Sequence, residues 1–184
     1  LTYISPWLLY RQSLFPKMNL NICPDFFLKK PLKANVNQDI LFCPPQFPWL
    51  NDFFSLNHFW EFMKVYKNTI KLLNSGLKNG KKIKIRYKSF SYLSGNLSPF
   101  TIEECDIPIE TEKFEDICYN YKTIISMPCG TISQKCYLNN INCISYNQPF
   151  HLMLKYSYIK YNSYPGVFDN AEAFLKEVER KIKD

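Results

Sequence analysis

Apolar positions along this chain recur with two periods, and the changes between them mark out its elements. Asp39-Ile-Leu-Phe-Cys43 is a short apolar run that stops at Pro44-Pro45, the pattern of a buried strand entering a loop. Phe59, Phe62, Met63, Tyr66, Ile70 and Leu73 then fall at helical spacing and predict an amphipathic helix over residues 56–74. Asn74-Ser-Gly76 and Asn79-Gly80 punctuate its end. Lys82-Ile-Lys-Ile-Arg-Tyr87 alternates polar and apolar residues, so it reads as a strand with one solvated face near a sheet edge. Cys105-Asp-Ile-Pro-Ile109 reads as an edge strand or extended connector, because Pro108 cannot donate to a ladder. Thr111 is the expected cap of a helix carrying Phe114, Ile117, Cys118 and Tyr121. A strand over 122–127, a small-residue turn, a helix over 131–138 and a strand over 142–146 follow. Residues 147–168 read as irregular. Asp169 or Asn170 caps a final helix whose Ala171, Phe174, Leu175, Val178 and Ile182 share one face. Glu172 lies near its positive end, and Arg180, Lys181 and Lys183 occupy the last turn.

Strands alternating with helices predict βαβ units. The expected fold is α/β: a Rossmann-like three-layer α/β/α domain over 37–184, with a mostly parallel sheet of four or five strands. Residues 1–36 contain Pro6, Pro16, Pro24 and Pro31, and proline at that density excludes long helices and central strands. That segment reads as an irregular linker or the end of a preceding domain.

Composition narrows the class. The 184 residues carry 5 Gly, too few for an all-β chain of many tight turns. There is no 18-residue apolar run to cross a membrane. The opening LTYISPWLLYRQSLFP begins with Leu and has no charge ahead of its apolar part, so it is a poor signal peptide and the chain reads as part of a longer protein. The net charge of +7 suits nucleic acid, an anionic membrane surface or phosphorylated small molecules. Lys78, Lys81, Lys82, Lys84, Arg86 and Lys88 form its densest group. The 7 cysteines are odd in number and contain no C-x-x-C pair, which favours reduced thiols in a cytoplasmic protein. His58 and His151 are the only histidines and are far apart, so no metal site is expected.

The candidate chemistry lies after the third predicted strand. In a parallel α/β sheet, the loop after a strand and the first turn of the next helix face the ligand crevice. Free backbone N–H groups and the positive dipole end at a helix start suit a phosphate. The turn Cys129-Gly130-Thr131-Ile-Ser133 occupies that place: Gly130 permits close backbone approach, and Thr131 and Ser133 supply hydroxyls. A competing reading makes Thr131 an ordinary helix cap. Arg86 and Lys88 end the neighbouring strand and are candidate phosphate ligands, Arg86 as a bidentate donor and Lys88 as a point charge. Gln46 and Trp49, in the loop after the first strand, are candidates to touch a base or sugar.

The order of elements resembles the C-terminal, donor-binding half of GT-B glycosyltransferases of the bacterial surface-polysaccharide type. Ile40-Leu-Phe-Cys-Pro-Pro45 looks like the first strand and loop of such halves, and Ile83-Lys-Ile-Arg86-Tyr-Lys88 like the second strand. Thr123-Ile-Ile-Ser-Met-Pro-Cys-Gly-Thr131 looks like their strand and Ser/Gly/Thr-rich turn, and Tyr137-Leu-Asn-Asn-Ile-Asn-Cys-Ile144 like the helix end and strand beyond. Two features depart from the pattern. Gln134 and Lys135 stand where many families carry a sugar- or ribose-binding Glu, and Lys88-Ser89-Phe90 replaces a His-Pro. The resemblance implies a cytoplasmic, membrane-associated transferase with a nucleotide-sugar substrate and no separate cofactor. It further implies a glycan or lipid-linked acceptor and peripheral contact with an anionic membrane. The rival readings are a non-catalytic Rossmann-like scaffolding module and, ranked last for want of an RRM or KH motif, an RNA-binding domain.

Overall fold

In a computed structural model the described residues are 28, 36–44, 56–87, 106–127, 131–146 and 166–184. They form a five-stranded, wholly parallel sheet flanked by helices. In chain order the elements are β1 (Gln38–Cys43), α1 (Leu56–Lys78), β2 (Ile83–Ile85), α2 (Phe114–Ile117, continued by a 3-10 turn Cys118–Asn120), β3 (Tyr121–Ser126), α3 (Thr131–Leu138), β4 (Cys143–Tyr146), β5 (Val167–Phe168) and α4 (Ala171–Lys183). Across the sheet the order is β2-β1-β3-β4-β5.

The strands alternate between two cores because side chains on a strand point to opposite faces in turn. Ile40, Phe42, Ile83, Ile85, Ile125, Ile144 and Tyr146 meet Phe62, Tyr66, Ile70 and Leu73 of α1 and Phe174, Val178 and Ile182 of α4. On the opposite face Leu41, Cys43 and Ile124 meet Phe114, Ile117 and Cys118 of α2 and Cys136 of α3. The three-layer expectation is therefore met, and both amphipathic helices bury the predicted face.

Several boundaries differ from the sequence reading. Helix α1 runs through Gly76 and ends at Lys78. A Cβ on Gly76 would lie 2.9 Å from Ile182 Cγ2 and 2.9 Å from Ile83 Cδ1, so this glycine lets α1 approach α4 and β2. Termination comes at Gly80, which has φ +82. The Lys81 amide donates to the Gly76 carbonyl at 3.1 Å and the Gly80 amide to that of Leu77 at 2.9 Å, which is a Schellman closure. Helix α3 ends the same way with Asn140 at φ 53, where Ile141 donates to the Cys136 carbonyl at 2.9 Å.

Thr111 does not cap α2; Lys113 occupies the cap position without a side-chain bond. Instead the Glu110 carboxylate accepts from the amides of Thr111 at 3.0 Å and Glu112 at 3.2 Å. Tyr121 begins β3 rather than ending the helix. Val167–Phe168, in a stretch read as irregular, adds a fifth strand beside β4. Asn170 is the cap of α4, accepting from the Ala173 amide at 2.9 Å.

Pro108 has the effect its chemistry predicts. Ile109 makes one parallel bridge to Ile85, through Ile85 N–H to the Pro108 carbonyl at 2.9 Å and Glu110 N–H to the Ile85 carbonyl at 2.7 Å. The next rung would need an N–H from residue 108, and proline has none. The connector thus stays a single bridge on the β2 edge.

Candidate functional site

The chain leaves β1 for β2 on one side, then crosses back to β3 on the other side of β1. This reversal is a topological switch point, where open α/β sheets bind ligands beyond the carboxyl ends of their strands. The two strands stay paired up to that edge: Cys43 is in register with Ser126, and the Met127 amide donates to the Cys43 carbonyl at 3.1 Å. Beyond it, the helix that follows β1 packs on one face of the sheet and the helix that follows β3 on the other. Departure toward opposite faces is what opens a crevice at such a point.

Helix α3 begins at Thr131, with its backbone start at the same carboxyl edge. No acid occupies its first turn. Ser133 is 6% exposed, and its hydroxyl accepts from Ser145 Oγ of β4 at 2.7 Å, so it faces the sheet. Gln134 is also 6% exposed. The sequence assigned Ser133 a ligand-facing hydroxyl; its packing leaves the backbone of that turn as the part directed at the edge.

Arg86 continues β2, its amide donating to the Phe42 carbonyl at 2.8 Å. Its Nε donates to the Glu112 carbonyl at 2.9 Å. Among the described residues its terminal nitrogens have no acceptor. Beside it, Glu115 of α2 pairs with Lys135 of α3. Burial raises the Glu115 pKa, but the Lys135 bond and charge, with a smaller effect from Arg86, hold the carboxyl below its ordinary value. A line of charge thus joins the end of β2, through α2, to Lys135 in the last turn of α3. Arg86, ending β2, and the start of α3, following β3, both lie at the carboxyl edge of the sheet. The Glu115–Lys135 pair escaped the sequence reading, since nothing local to either residue indicates its partner.

In the sulfur-rich layer beneath this edge three thiols are raised and one, Cys143, is lowered by its hydrogen bond with Cys136 against burial. Burial pushes the Cys43 thiol well up, against a smaller opposing effect of Arg86, and takes Cys118 to about 11. Cys136 is raised by its hydrogen bond to Cys143 and by burial. All four described cysteines are free thiols. Among the described residues no group of three or more His, Cys, Asp or Glu is arranged to hold a metal ion. Lys88, Cys129, Gly130, Gln46, Trp49 and His151 lie outside the described residues, as do the side chains of Thr131 and His58.

The described fold and edge define a Rossmann-like α/β/α domain with a parallel sheet and a switch point at its centre. Compared with protein-family models, curated proteins and solved structures, the chain matches none. Among the described residues no helix is long and apolar enough to cross a membrane.

Proposed function

We propose that this chain is the donor-binding half of a nucleotide-sugar-dependent glycosyltransferase acting in surface polysaccharide or glycoconjugate synthesis. The observation that carries the reading is that Arg86, ending β2, and the start of α3, following β3, lie on the same carboxyl edge of the sheet on either side of β1. In this reading the donor diphosphate rests on the backbone amides of the Cys129-Gly130-Thr131 turn and α3, with the Thr131 hydroxyl beside it. Arg86, supported at Nε, directs its terminal nitrogens at the phosphates, and Lys88 adds a second cation. The acceptor hydroxyl, from a glycan or a lipid-linked glycan, attacks the anomeric carbon. The sugar–phosphate bond breaks, and the nucleotide leaves with its negative charge spread over cations and amides already in place. Gln46 and Trp49 contact base or sugar from the loop after β1. The reaction runs on the cytoplasmic side, a reading that the free thiols support.

Calorimetry with UDP, GDP, CMP and CDP donors tests the reading. One nucleotide should bind, and Arg86→Ala and Thr131→Ala should each weaken it about tenfold or more without unfolding the domain. No heat with any of the four would remove the transferase reading. A non-catalytic Rossmann-like module is the second reading. It draws support from Gln134 and from Lys135, which is held by Glu115 at the place of the family's acid. A folded domain that gives no heat with any of the four nucleotides would favour it.

A further inference from the structure

Helix α1 has an outer face that neither core uses. Successive residues advance 100° around a helix, so Trp60, Lys64, Lys67, Lys71 and Lys78 fall within a narrow stripe. At 1.5 Å per residue that stripe is about 27 Å long. Trp60 at its start is 57% exposed, the most exposed large apolar side chain among the described residues. Between Trp60 and Lys71 runs an open groove of about 260 Å³, lined by Trp60, Met63, Lys64, Lys67, Asn68 and Lys71, three cations and no acid.

The neighbouring helix on that layer behaves differently. On α4 acids and bases alternate closely: Arg180 bridges Glu177 at 2.7 Å and Asp184 at 2.8 Å, and Lys183 meets Glu179 at 2.7 Å. Helix α1 sets Lys64, Lys67, Lys71 and Lys78 against a single acid, Glu61. The net positive charge of this layer is therefore concentrated on α1.

We infer that the outer face of α1 is a peripheral docking surface for an anionic lipid bilayer. Four lysines in a row along one helix present their charge to a plane of anionic headgroups. Lysine extends a charged head from an apolar stem, and tryptophan settles at the headgroup level with its ring in the apolar boundary. A single-stranded nucleic acid would call for successive aromatics to stack its bases, and this stripe carries one. Because α1 follows β1, its Trp60 end lies toward the carboxyl edge of the sheet, and docking the stripe along its length lays α1 parallel to the bilayer with that edge opening along the surface. The inference does not depend on the transferase reading.

The test is co-sedimentation of the whole chain with vesicles of phosphatidylcholine, pure or with about one third phosphatidylserine. Binding is expected only to the anionic vesicles and should fall steeply between about 0.1 and 0.5 M salt. The triple variant Lys64→Glu, Lys67→Glu, Lys71→Glu should lose about a hundredfold or more in partitioning. Trp60→Ala should lose several-fold and abolish any blue shift contributed by that indole. Thermal melts and nucleotide titrations of the triple variant should be unchanged, which separates this surface from the crevice. If the triple variant does not fold, Lys64→Gln with Lys71→Gln and the salt series on the unaltered chain decide the question. Equal binding to neutral vesicles, salt-insensitive binding, or full binding by the charge variants would overturn the proposal. Loss of single-stranded RNA retention in the variants, with no vesicle binding by the unaltered chain, would overturn it in favour of a nucleic-acid face.

Discussion

At the scale of single residues, Glu110 organises a polar network that ties β2 to β3. It is 8% exposed. Its carboxylate accepts from Lys84 Nζ at 2.9 Å, Tyr121 Oη at 2.8 Å and the amides of Thr111 and Glu112. Burial alone would raise its pKa, but these bonds and the Lys84 charge bring it below the ordinary value of 4.5. A depressed folded-state pKa means the contribution is present above the unfolded value and fades as pH falls through the folded one. Glu110→Gln should therefore destabilise the domain by about 1–3 kcal/mol at neutral pH. Urea titrations from neutral to acidic pH should show that gap closing below pH 4.5. A gap independent of pH would mean that the carboxylate charge is not its source. Nothing in the sequence around Glu110 singles it out, because its partners come from β2 and β3. Arg86, by contrast, was legible: a cation ending an alternating strand sits at the sheet edge whatever the partners are.

At the scale of elements, the two helix ends give paired expectations. Gly80 and Asn140 hold the same position in two Schellman closures, both at positive φ. Gly80→Ala should cost about 1 kcal/mol, since a Cβ is disfavoured there. Asn140→Gly should stabilise by a few tenths of a kcal/mol to about 1 kcal/mol, since glycine is the better residue at that site. Thermal melts of the two variants should move in opposite directions; a shift of both in one direction would contradict the closure geometry. Long periodic elements were readable because burial of one helical face repeats through the sequence. Helix α1 and helix α4 follow from that repeat alone. The short elements were not. Val167–Phe168 is a strand only because Ser145 and Tyr146 lie beside it, and α2 starts at Lys113 with no side-chain cap while Glu110 binds the amides of the turn before it.

At the scale of the whole molecule, adding the Ile109 bridge beyond β2 gives an edge-to-edge order of 3-2-1-4-5-6 when elements are counted along the chain. That is the strand order of the doubly wound Rossmann fold, and it sets the crevice between the first strand and the one across the switch. A nucleotide that binds the folded state at about 100 times its Kd should add about 2.7 kcal/mol. For a domain of this size the midpoint should then rise by roughly 5–11 °C. A thermal scan with each nucleotide checks this, and Arg86→Ala should reduce the rise.

Periodicity settles the alternation of strands and helices, the two-sided burial and the α/β class, because each segment carries its own period independently of its neighbours. The amino-acid order also marks the turn after β3 as a candidate anion site, since a helix start has the same dipole wherever it folds. Strand order, and with it the switch point, emerges only when the chain has packed. So do the turning of Ser133 to Ser145 and the meeting of Glu115 with Lys135. Those outcomes depend on which elements become neighbours, and strand pairing is set by the sum of contacts between segments distant in the chain.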